Sequence, residues 1–333
     1  MSKTMRALVL ERFREPLVLR ELPKPRAGVG HVVVRVCASG ITALDVKIIE
    51  GSADPARVRP PAVLGMELAG IVESVGAQVT GFETGDEVFG MTGGVGTLQG
   101  SLAEYAAVDA ALLASKPANL TMREAAALPL NFITAWEGLV DRARLSAGQT
   151  VLIHGGAGGV GSMGIQIARS LGAQTFATGR SRNLDVIAAC GATPIDYEST
   201  PVEEYVGSYT RGEGFNVVYD TAGGAVLDAS FKAAHFNGGH VVSCLGWGTH
   251  SLAPLSFRAA TYSGVFTLLP MLSGIGRLHH GDILREAKRL AEQGLLKARL
   301  DPRSFVFESV ESAHNIQRSG ERSGKLVVSI AEH

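Results

Sequence analysis

The chain has 333 residues, which exceeds one typical domain and favours two. Hydrophobic residues make up 46% of it and charged residues 19%, the balance of an ordinary globular protein. The net charge of -1, without a basic run, argues against nucleic acids and anionic membranes as partners.

The cysteines and the N-terminal residues bear on the cellular compartment. Cys37, Cys190 and Cys244 lie far apart and form no CxxC pair, which favours reduced thiols over a disulfide framework or a zinc knuckle. The apolar run near the N-terminus is too short for a signal peptide, and no later stretch is long enough to span a bilayer. We therefore expect a cytoplasmic enzyme of the α/β class.

The first 125 residues predict mostly β-structure, because short β-rich runs alternate with Gly, Pro and Asp. The predicted strands are Ala7–Leu10, Val32–Ala38, Ala69–Val75 and Glu87–Phe89. At residues 121–124 the sequence Thr-Met-Arg-Glu is typical of a capping box and predicts the start of an Ala-rich helix.

From residue 150 onward, strand and helix patterns alternate. The predicted strands are 150–155, 174–179, 216–220 and 239–245, and the predicted helices are 160–171, 182–190 and 224–235. This alternation predicts a parallel, doubly wound sheet. A helix at Asp282–Glu292 and strands at Ser304–Phe307 and Lys325–Ile330 close the chain, and we expect them to return to the first domain. Just before that helix, the pair His279-His280 is expected in a polar surface loop.

The segment Val151–Gly161 is the most informative part of the chain. An apolar strand runs into Gly156-Ala-Gly158-Gly159-Val160-Gly161, and an amphipathic helix follows at once. In a dinucleotide site Gly156 permits the tight turn, Gly158 lets the backbone approach a pyrophosphate, and Gly161 lets helix and strand pack closely. The phosphates would lie at the N-terminus of the helix.

The turn after the second strand indicates which dinucleotide binds. The residues are Gly179-Arg180-Ser181-Arg182, with no acidic side chain to bind the ribose hydroxyls of NAD. Two guanidinium groups and a hydroxyl suit the 2′-phosphate of NADPH, because arginine binds phosphate with charge-assisted, paired hydrogen bonds. The sequence therefore predicts NADP(H) as cofactor; otherwise both arginines are solvated turn residues.

Seven motifs, spread over nearly the whole chain, occur together in one order. They are Leu64–Gly76, Gly85–Gly90, Ser101–Tyr105, Ala126–Trp136, His154–Gly161, Val217–Gly224 and Gly324–Val328. In this order the chain resembles the zinc-independent branch of the medium-chain dehydrogenase/reductases, namely the quinone oxidoreductases and related enone reductases. The resemblance implies a GroES-like catalytic domain at 1–125 and 271–333, and a Rossmann NADPH-binding domain at 126–270. It also implies an active site in the cleft between the domains, and a homodimer.

The resemblance allows zinc binding to be examined position by position. Zinc-dependent relatives carry Gly-His-Glu where this chain has Gly65-Met66-Glu67, and a cysteine ligand where it has Thr42. Neither a thioether nor a neutral hydroxyl is a normal zinc ligand. Residues 84–110 contain no cysteine for a structural zinc. We therefore expect no metal, and Glu67 becomes either a polar group left from the metal site or one half of an ion pair between the domains.

Without a Lewis acid to stabilise an alkoxide, hydride donation to an electrophilic acceptor is the expected chemistry. The expected substrate is a small quinone, and the alternative is the double bond of an α,β-unsaturated carbonyl compound. A non-catalytic NADPH-binding sensor remains a further alternative, since a fold does not determine function.

Three residues are candidates for the catalytic chemistry: Lys47, Thr42 and Thr134. By resemblance, Lys47 stands where zinc enzymes carry a proton-relay histidine and where enone reductases often carry lysine. Its ammonium would stabilise a developing oxyanion or contact the cofactor; otherwise it is an exposed lysine paired with Asp45 or Glu50. Thr134 would bind the nicotinamide ring or ribose, or it is an ordinary helix threonine.

The other cofactor contacts also follow from the resemblance. They comprise the glycine loop, the basic turn, a tyrosine at the adenosine end, and two segments beside the nicotinamide. The predicted residues are Asn131, Thr134, Gly156, Gly158, Gly159, Val160, Gly161, Gly179, Arg180, Ser181, Arg182, Tyr197, Leu245, Gly246, Phe266 and Thr267. Tyr197 is alternatively a plain turn tyrosine. The segment Val265–Thr267 is also a candidate for an edge strand that pairs with a second subunit.

Overall fold

The computed structural model describes residues 3–331 and divides into two compact units. Unit 1 combines the residues up to Leu130 with those from Leu268 onward, and unit 2 comprises Asn131–Thr267. The sequence suggested domain boundaries at 125/126 and 270/271. The two units divide at 130/131 and 267/268, and the helix at residues 122–126 packs on strands of unit 1.

The first segment of unit 1 is mainly β-structure. Its strands are β1 (Thr4–Leu10), β2 (Val18–Pro23), β3 (His31–Gly40), β4 (Ala62–Val63), β5 (Glu67–Val75), β6 (Glu87–Met91), β7 (Tyr105–Asp109) and β8 (Leu113–Ser115). Its helices are α1 (Ala43–Ile49), α2 (Met122–Ala126) and α3 (Pro129–Trp136), and the last continues into unit 2. The capping box is confirmed, since the Thr121 hydroxyl accepts from the Glu124 amide and the Glu124 carboxylate from the Thr121 amide.

Unit 2 alternates strands and helices. Its strands are β9 (Thr150–His154), β10 (Gln174–Gly179), β11 (Thr193–Asp196), β12 (Val217–Asp220), β13 (His240–Ser243) and β14 (Thr261–Gly264). After a π-helical segment at Glu137–Arg142, its helices are α4 (Gly159–Ser170), α5 (Leu184–Cys190), α6 (Val202–Thr210), α7 (Ala225–Ala233) and α8 (Ala253–Arg258). The sequence did not predict β11, α6, α8 or β14.

The C-terminal segment of unit 1 adds five elements. They are α9 (Leu269–Ser273), α10 (Arg277–Glu292), β15 (Phe305–Val306), α11 (Val310–Ser319) and β16 (Val327–Ser329). Helix α10 begins five residues before the predicted start at Asp282. The prediction of a polar loop at His279-His280 was therefore wrong, and His280 is fully buried because it begins the apolar face that continues through Ile283 and Leu284.

The sheet of unit 2 is parallel throughout, in the order β11-β10-β9-β12-β13-β14. This confirms the predicted doubly wound Rossmann architecture. The chain moves outward from β9 in one direction through β10 and β11, and then in the other through β12 to β14. Such a change of direction opens a ligand crevice at the carboxyl ends of the strands, between β9 and β12.

The sheets of unit 1 hold its catalytic candidates in place. One sheet runs β15-β16-β3-β5-β6-β8 with β7 also paired to β3, and a second runs β2-β1-β4. β16 pairs antiparallel with β3, so the C-terminal segment returns to the first one, as predicted. Helix α1 follows β3 directly and carries Thr42 as its N-cap. No helix within residues 3–331 combines the length and apolar character needed to cross a bilayer.

Two helical glycines of unit 2 have opposite surroundings, which gives a stability prediction. A Cβ on Gly161 would lie 2.2 Å from the Gly155 carbonyl oxygen, whereas a Cβ on Gly207 would meet no atom within 4 Å. We expect Gly161→Ala to lower the free energy of unfolding by about 1–3 kcal/mol through overpacking. Gly207→Ala should raise it by about 0.5–1 kcal/mol, because alanine loses less backbone entropy in a helix.

Urea denaturation of the two cofactor-free variants measures both effects. A neutral Gly161→Ala would contradict the close packing of α4 on the turn before it.

Candidate functional site

The glycine loop joins β9 to α4 at the carboxyl edge of the parallel sheet. Gly155 has φ +74°, so the residue that the turn requires as glycine is Gly155 and not Gly156. Gly156 is needed for another reason, since its Cβ would lie 2.7 Å from the Cβ of Ala177 on β10. Gly161 packs against the Gly155 carbonyl oxygen. The glycines therefore allow the loop to lie flat on the sheet.

Helix α4 has a glycine as its N-cap residue, so no side chain caps its N-terminus. Its N-cap is Gly158, with extended φ -73° and ψ 172°, and this glycine supplies no side-chain cap. A Cβ on Gly159 would meet the Asn131 side chain at 2.7 Å, so Asn131 lies directly beside this turn. Val160 is half-buried. Free amides at the positive end of a 12-residue helix suit a pyrophosphate.

The positive charge of the turn after β10 is partly offset by neighbouring carboxylates. The Arg180 Nε donates to the Tyr197 hydroxyl at 3.0 Å and lies 3.6 Å from Glu198 Oε1. The Ser181 hydroxyl donates to the carboxylate of Asp196. Arg182 is exposed. The structure thus brings Tyr197 to the predicted turn, together with the carboxylates of Asp196 and Glu198, which the sequence did not predict there.

The acidic pair was missed because β11 was missed. Gly179 and Asp196 are the last residues of β10 and β11, and they are register partners in the parallel ladder. The available signal was Gly191, which ends α5 with φ +94°, followed by the short run Thr-Pro-Ile-Asp. A strand was due there in a βαβ alternation.

Two threonines meet at the other end of the predicted cofactor site. The Thr267 hydroxyl oxygen lies 3.0 Å from that of Thr134 and 2.7 Å from Glu137 Oε2. Both threonines are buried. Glu137 begins the π-helical segment, a local widening that often occurs at functional sites. Glu137 is not among the residues that the sequence predicted for the site.

The segments after β13 and β14 lie close to one another. A Cβ on Gly246 would lie 2.1 Å from the Tyr262 hydroxyl oxygen, and the Leu245 amide donates to the Ser243 hydroxyl at 3.0 Å. Phe266 packs edge-on against Trp247 at 5.9 Å between ring centroids. Within the chain the edge strand is Thr261–Gly264, directly before Val265–Thr267, and the pairing of that segment with a second subunit stays a prediction. Only the Val265 amide continues the ladder, by donating to the Ser243 carbonyl at 2.9 Å.

A buried network of hydrogen bonds lies at the carboxyl ends of the strands of unit 2. Asp220 accepts from the amides of Ala222 and Gly223 and from the Ser243 hydroxyl at 2.7–3.1 Å. His154 Nδ1 lies 3.0 Å from the Thr178 hydroxyl. Burial lowers the pKa of His154 to about 4, although the charge of Asp220 acts in the opposite direction. His154 is therefore neutral at physiological pH.

In unit 1, Thr42 and Asp45 form the capping box that starts α1. The Asp45 carboxylate accepts from both the amide and the hydroxyl of Thr42 at 2.7 Å. Burial raises the pKa of the Asp45 carboxyl. Lys47 is exposed on the same helix, and Glu50 pairs with Arg318 at 2.9 Å. Among the described residues, the alternative pairing of Lys47 with Asp45 or Glu50 is therefore not formed.

Glu67, at the start of β5, forms a buried ion pair with Lys325, which lies two residues before β16. Its other oxygen accepts from the amide of Leu130, in the first turn of α3, at 2.8 Å. Glu67 is fully buried and the Lys325 side chain is 11% exposed, so the pair is shielded from water. The expected ion pair is present, but Glu67 and Lys325 both belong to unit 1 and the pair does not join the units. Met66 is a fully buried core residue.

Within residues 3–331, no group of three His, Cys, Asp or Glu side chains could hold a metal ion. All predicted cofactor residues lie in unit 2, whereas Thr42 and Lys47 lie in unit 1. The structure brings together Arg180 with Tyr197, and Thr134 with Thr267.

Comparison with known proteins agrees with this architecture. Residues 28–118 match the alcohol dehydrogenase GroES-like domain, and residues 190–328 match the zinc-binding dehydrogenase family. The chain is 34% identical to the 2-methylene-furan-3-one reductase of Solanum lycopersicum over 90% of this chain and 71% of that protein. It is 33% identical to the chloroplastic NADPH-dependent alkenal/one oxidoreductase of Arabidopsis thaliana over 90% and 72%. The chain belongs to the medium-chain dehydrogenase/reductase family.

Solved structures of this family superpose closely. An alcohol dehydrogenase superfamily protein from Novosphingobium aromaticivorans is 54% identical, with a TM-score of 0.96 over 98% of this chain and 100% of that one. The quinone oxidoreductase from Coxiella burnetii is 26% identical, with a TM-score of 0.81 over 99% and 100%. Several polyketide synthases are also similar, and the chain spans 14–19% of their length. Within the family, the chain belongs to the branch of quinone and enone reductases.

The buried ion pair gives the second prediction. Lys325→Met should lower the free energy of unfolding by about 3–5 kcal/mol, because it leaves the Glu67 carboxylate buried without a cation. The matched control is Lys288→Met, which breaks the partly exposed 3.2 Å pair with Glu292 and should cost about 0.5 kcal/mol or less.

Urea denaturation at neutral pH measures the three proteins side by side. Adding Glu67→Gln to Lys325→Met should restore part of the lost stability, since the buried charge is then removed. Equal losses of unfolding free energy in the two lysine variants would show that the buried Glu67–Lys325 pair contributes no more to stability than the partly exposed pair.

Two buried histidines give a pH prediction. Burial lowers the pKa of His154 and of His314 to about 4, from an ordinary value of 6.5. Below pH 6.5 the unfolded chain binds protons that the folded chain does not. The free energy of unfolding should therefore fall by about 1.4 kcal/mol per pH unit for each histidine as the pH drops from 6.5 towards 4.

Urea denaturation of wild type and His314→Asn at intervals between pH 7.5 and 4.5 tests this. In the variant, the slope of the free energy of unfolding against pH should be smaller by about 1.4 kcal/mol per pH unit, the contribution of one proton. Identical slopes would mean that His314 titrates normally in the folded protein.

Proposed function

We propose that the chain is an NADPH-dependent reductase of conjugated carbonyl compounds. Quinones are the first candidate acceptors. Other α,β-unsaturated carbonyl compounds are the second, and the names of the tomato and Arabidopsis relatives favour them. The observation that carries the proposal is the N-terminus of α4, which has no side-chain cap and follows strand β9 of the parallel sheet. The neighbouring strand β10 leads into Arg180 and Arg182.

The residues of unit 2 fit a dinucleotide. The amides of Gly159, Val160 and Gly161 would bind the pyrophosphate, because the N-cap and two of the first three helical residues are glycines and leave the backbone open to phosphate oxygens. The pair Thr134 and Thr267 would orient the nicotinamide end through its hydroxyls. When bound, NADPH supplies a hydride, and the protein supplies position and electrostatics.

Lys47 would act on the acceptor's oxygen. Hydride addition to a conjugated carbonyl leaves negative charge on that oxygen, and a nearby ammonium stabilises it. Lys47 is exposed, and its neighbours Asp45 and Glu50 are engaged elsewhere. Thr42 would have a different task, because its hydroxyl donates to Asp45 and so fixes the start of α1.

The donor atoms at the former metal position support chemistry without zinc. Thr42 offers a hydroxyl already bonded to Asp45, and Met66 is buried. Neither is a normal zinc ligand. An electrophile that accepts hydride without a Lewis acid is therefore the appropriate substrate. The homodimer and the cytoplasmic location expected from the sequence stay predictions.

The function is tested by oxidation of NADPH with a panel of small quinones and enones, each also run with NADH. We expect turnover with NADPH, and the ratio of kcat/KM between the two acceptor classes identifies the substrate class. Tight NADPH binding without reduction of any acceptor would instead favour the non-catalytic sensor.

The role of Lys47 is tested by Lys47→Met and Lys47→Arg. Loss of oxyanion stabilisation should lower kcat about 10²–10³-fold in Lys47→Met, with NADPH affinity unchanged. Lys47→Arg keeps the positive charge and should retain more activity. Equal kcat in wild type and Lys47→Met would remove Lys47 from the mechanism.

A further inference from the structure

We propose that Asp196 sets the selectivity between NADPH and NADH, as a carboxylate that opposes a 2′-phosphate and favours a free ribose hydroxyl. This rests on the proposed function, in which the turn Gly179–Arg182 receives the adenosine ribose. The sequence shows no acidic residue in that turn, and the parallel sheet supplies one from the neighbouring strand.

The sheet places Asp196 beside the turn. Gly179 ends β10, Asp196 ends β11, and the two residues are register partners. The carboxyl ends of parallel strands lie along one edge, which is where open α/β sheets bind ligands. Asp196 therefore lies beside the end of β10, the position from which a carboxylate binds the ribose hydroxyls in an NAD-binding protein.

Asp196 accepts a hydrogen bond from Ser181, the one residue of the turn with a hydroxyl group. Ser181 donates its proton to Asp196, and the Glu198 amide also donates to the carboxylate at 3.0 Å. A serine hydroxyl has one proton to donate, so Ser181 cannot also donate to a phosphate while it is bonded to Asp196. The hydrogen bond from Ser181 lowers the pKa of Asp196, which keeps this carboxyl charged at neutral pH.

The charges of the turn balance. Arg180 is engaged by the Tyr197 hydroxyl and by Glu198, and Arg182 extends into solvent. The turn and the residues that end and follow β11 therefore carry two guanidinium groups and two carboxylates. A 2′-phosphate carries close to two negative charges, so it is attracted by the arginines and repelled by Asp196 and Glu198. A 2′-hydroxyl has no such repulsion and can donate to a carboxylate.

Affinities of the apo-protein for NADPH and NADH, measured by calorimetry, test the proposal without relying on turnover. Asp196→Asn should tighten NADPH binding about tenfold, the scale expected when one like charge is removed at an exposed site. It should leave NADH binding unchanged or weaker. The matched control is Asp185→Asn, which removes an exposed carboxylate from the first turn of α5 and should leave the ratio of the two affinities unchanged.

A second variant keeps the test independent of how Asp196→Asn folds. Glu198→Gln releases Arg180 and should also tighten NADPH binding relative to NADH. In both variants the gain should shrink as salt is raised, because exposed charges are screened.

The outcomes separate the two proposals. If wild type binds NADPH but neither variant changes the affinity ratio, the role of Asp196 is overturned and the proposed function stands. An equal gain in Asp185→Asn also overturns the role of Asp196, since net charge alone would explain it. If folded wild type binds neither nucleotide, the proposed function fails and the selectivity role fails with it.

Discussion

The close contact between Gly161 and the Gly155 carbonyl oxygen is the constraint on which the candidate cofactor site depends. A Cβ at Gly161 would stand 2.2 Å from that oxygen, so α4 can begin where it does only without a side chain. The position of α4 determines where its free amides point. Those amides and the turns after the neighbouring strands then share one edge of the sheet, and the dinucleotide chemistry follows from that edge.

The part of the site that could be predicted is local in sequence. The strand, glycine loop and helix around Gly156 are consecutive, and the capping box at Thr121 spans four residues, so pattern and spacing identify both. The contribution of Asp196 is not local, because it depends on the register of a four-residue strand whose composition resembles a turn. His280 is a second example of a non-local effect. A histidine beside a glycine indicates a surface loop from the local sequence, whereas its burial depends on the helix in which it lies.

Unit 1 holds two buried acidic side chains close to a single lysine. Glu67 and Asp45 are both fully buried, and Lys325 lies against the first and acts electrostatically on the second. One ammonium therefore offsets two buried acids, of which Asp45 has a raised pKa. This arrangement also explains why Gly40 has no side chain, since a Cβ there would lie 2.4 Å from the Glu67 carboxylate. The sequence indicated that Glu67 needs a partner but could not identify Lys325, which is more than 250 residues away.

The division into two units has an optical consequence. The chain contains two tryptophans, Trp136 and Trp247, and both belong to unit 2. Trp136 stacks on Phe132 at 5.7 Å between ring centroids, and Trp247 is 55% exposed. Indole emission therefore comes from two residues of unit 2, whereas backbone circular dichroism reports on both units. Comparing the two signals during denaturation shows directly whether the halves of this protein unfold together or one after the other.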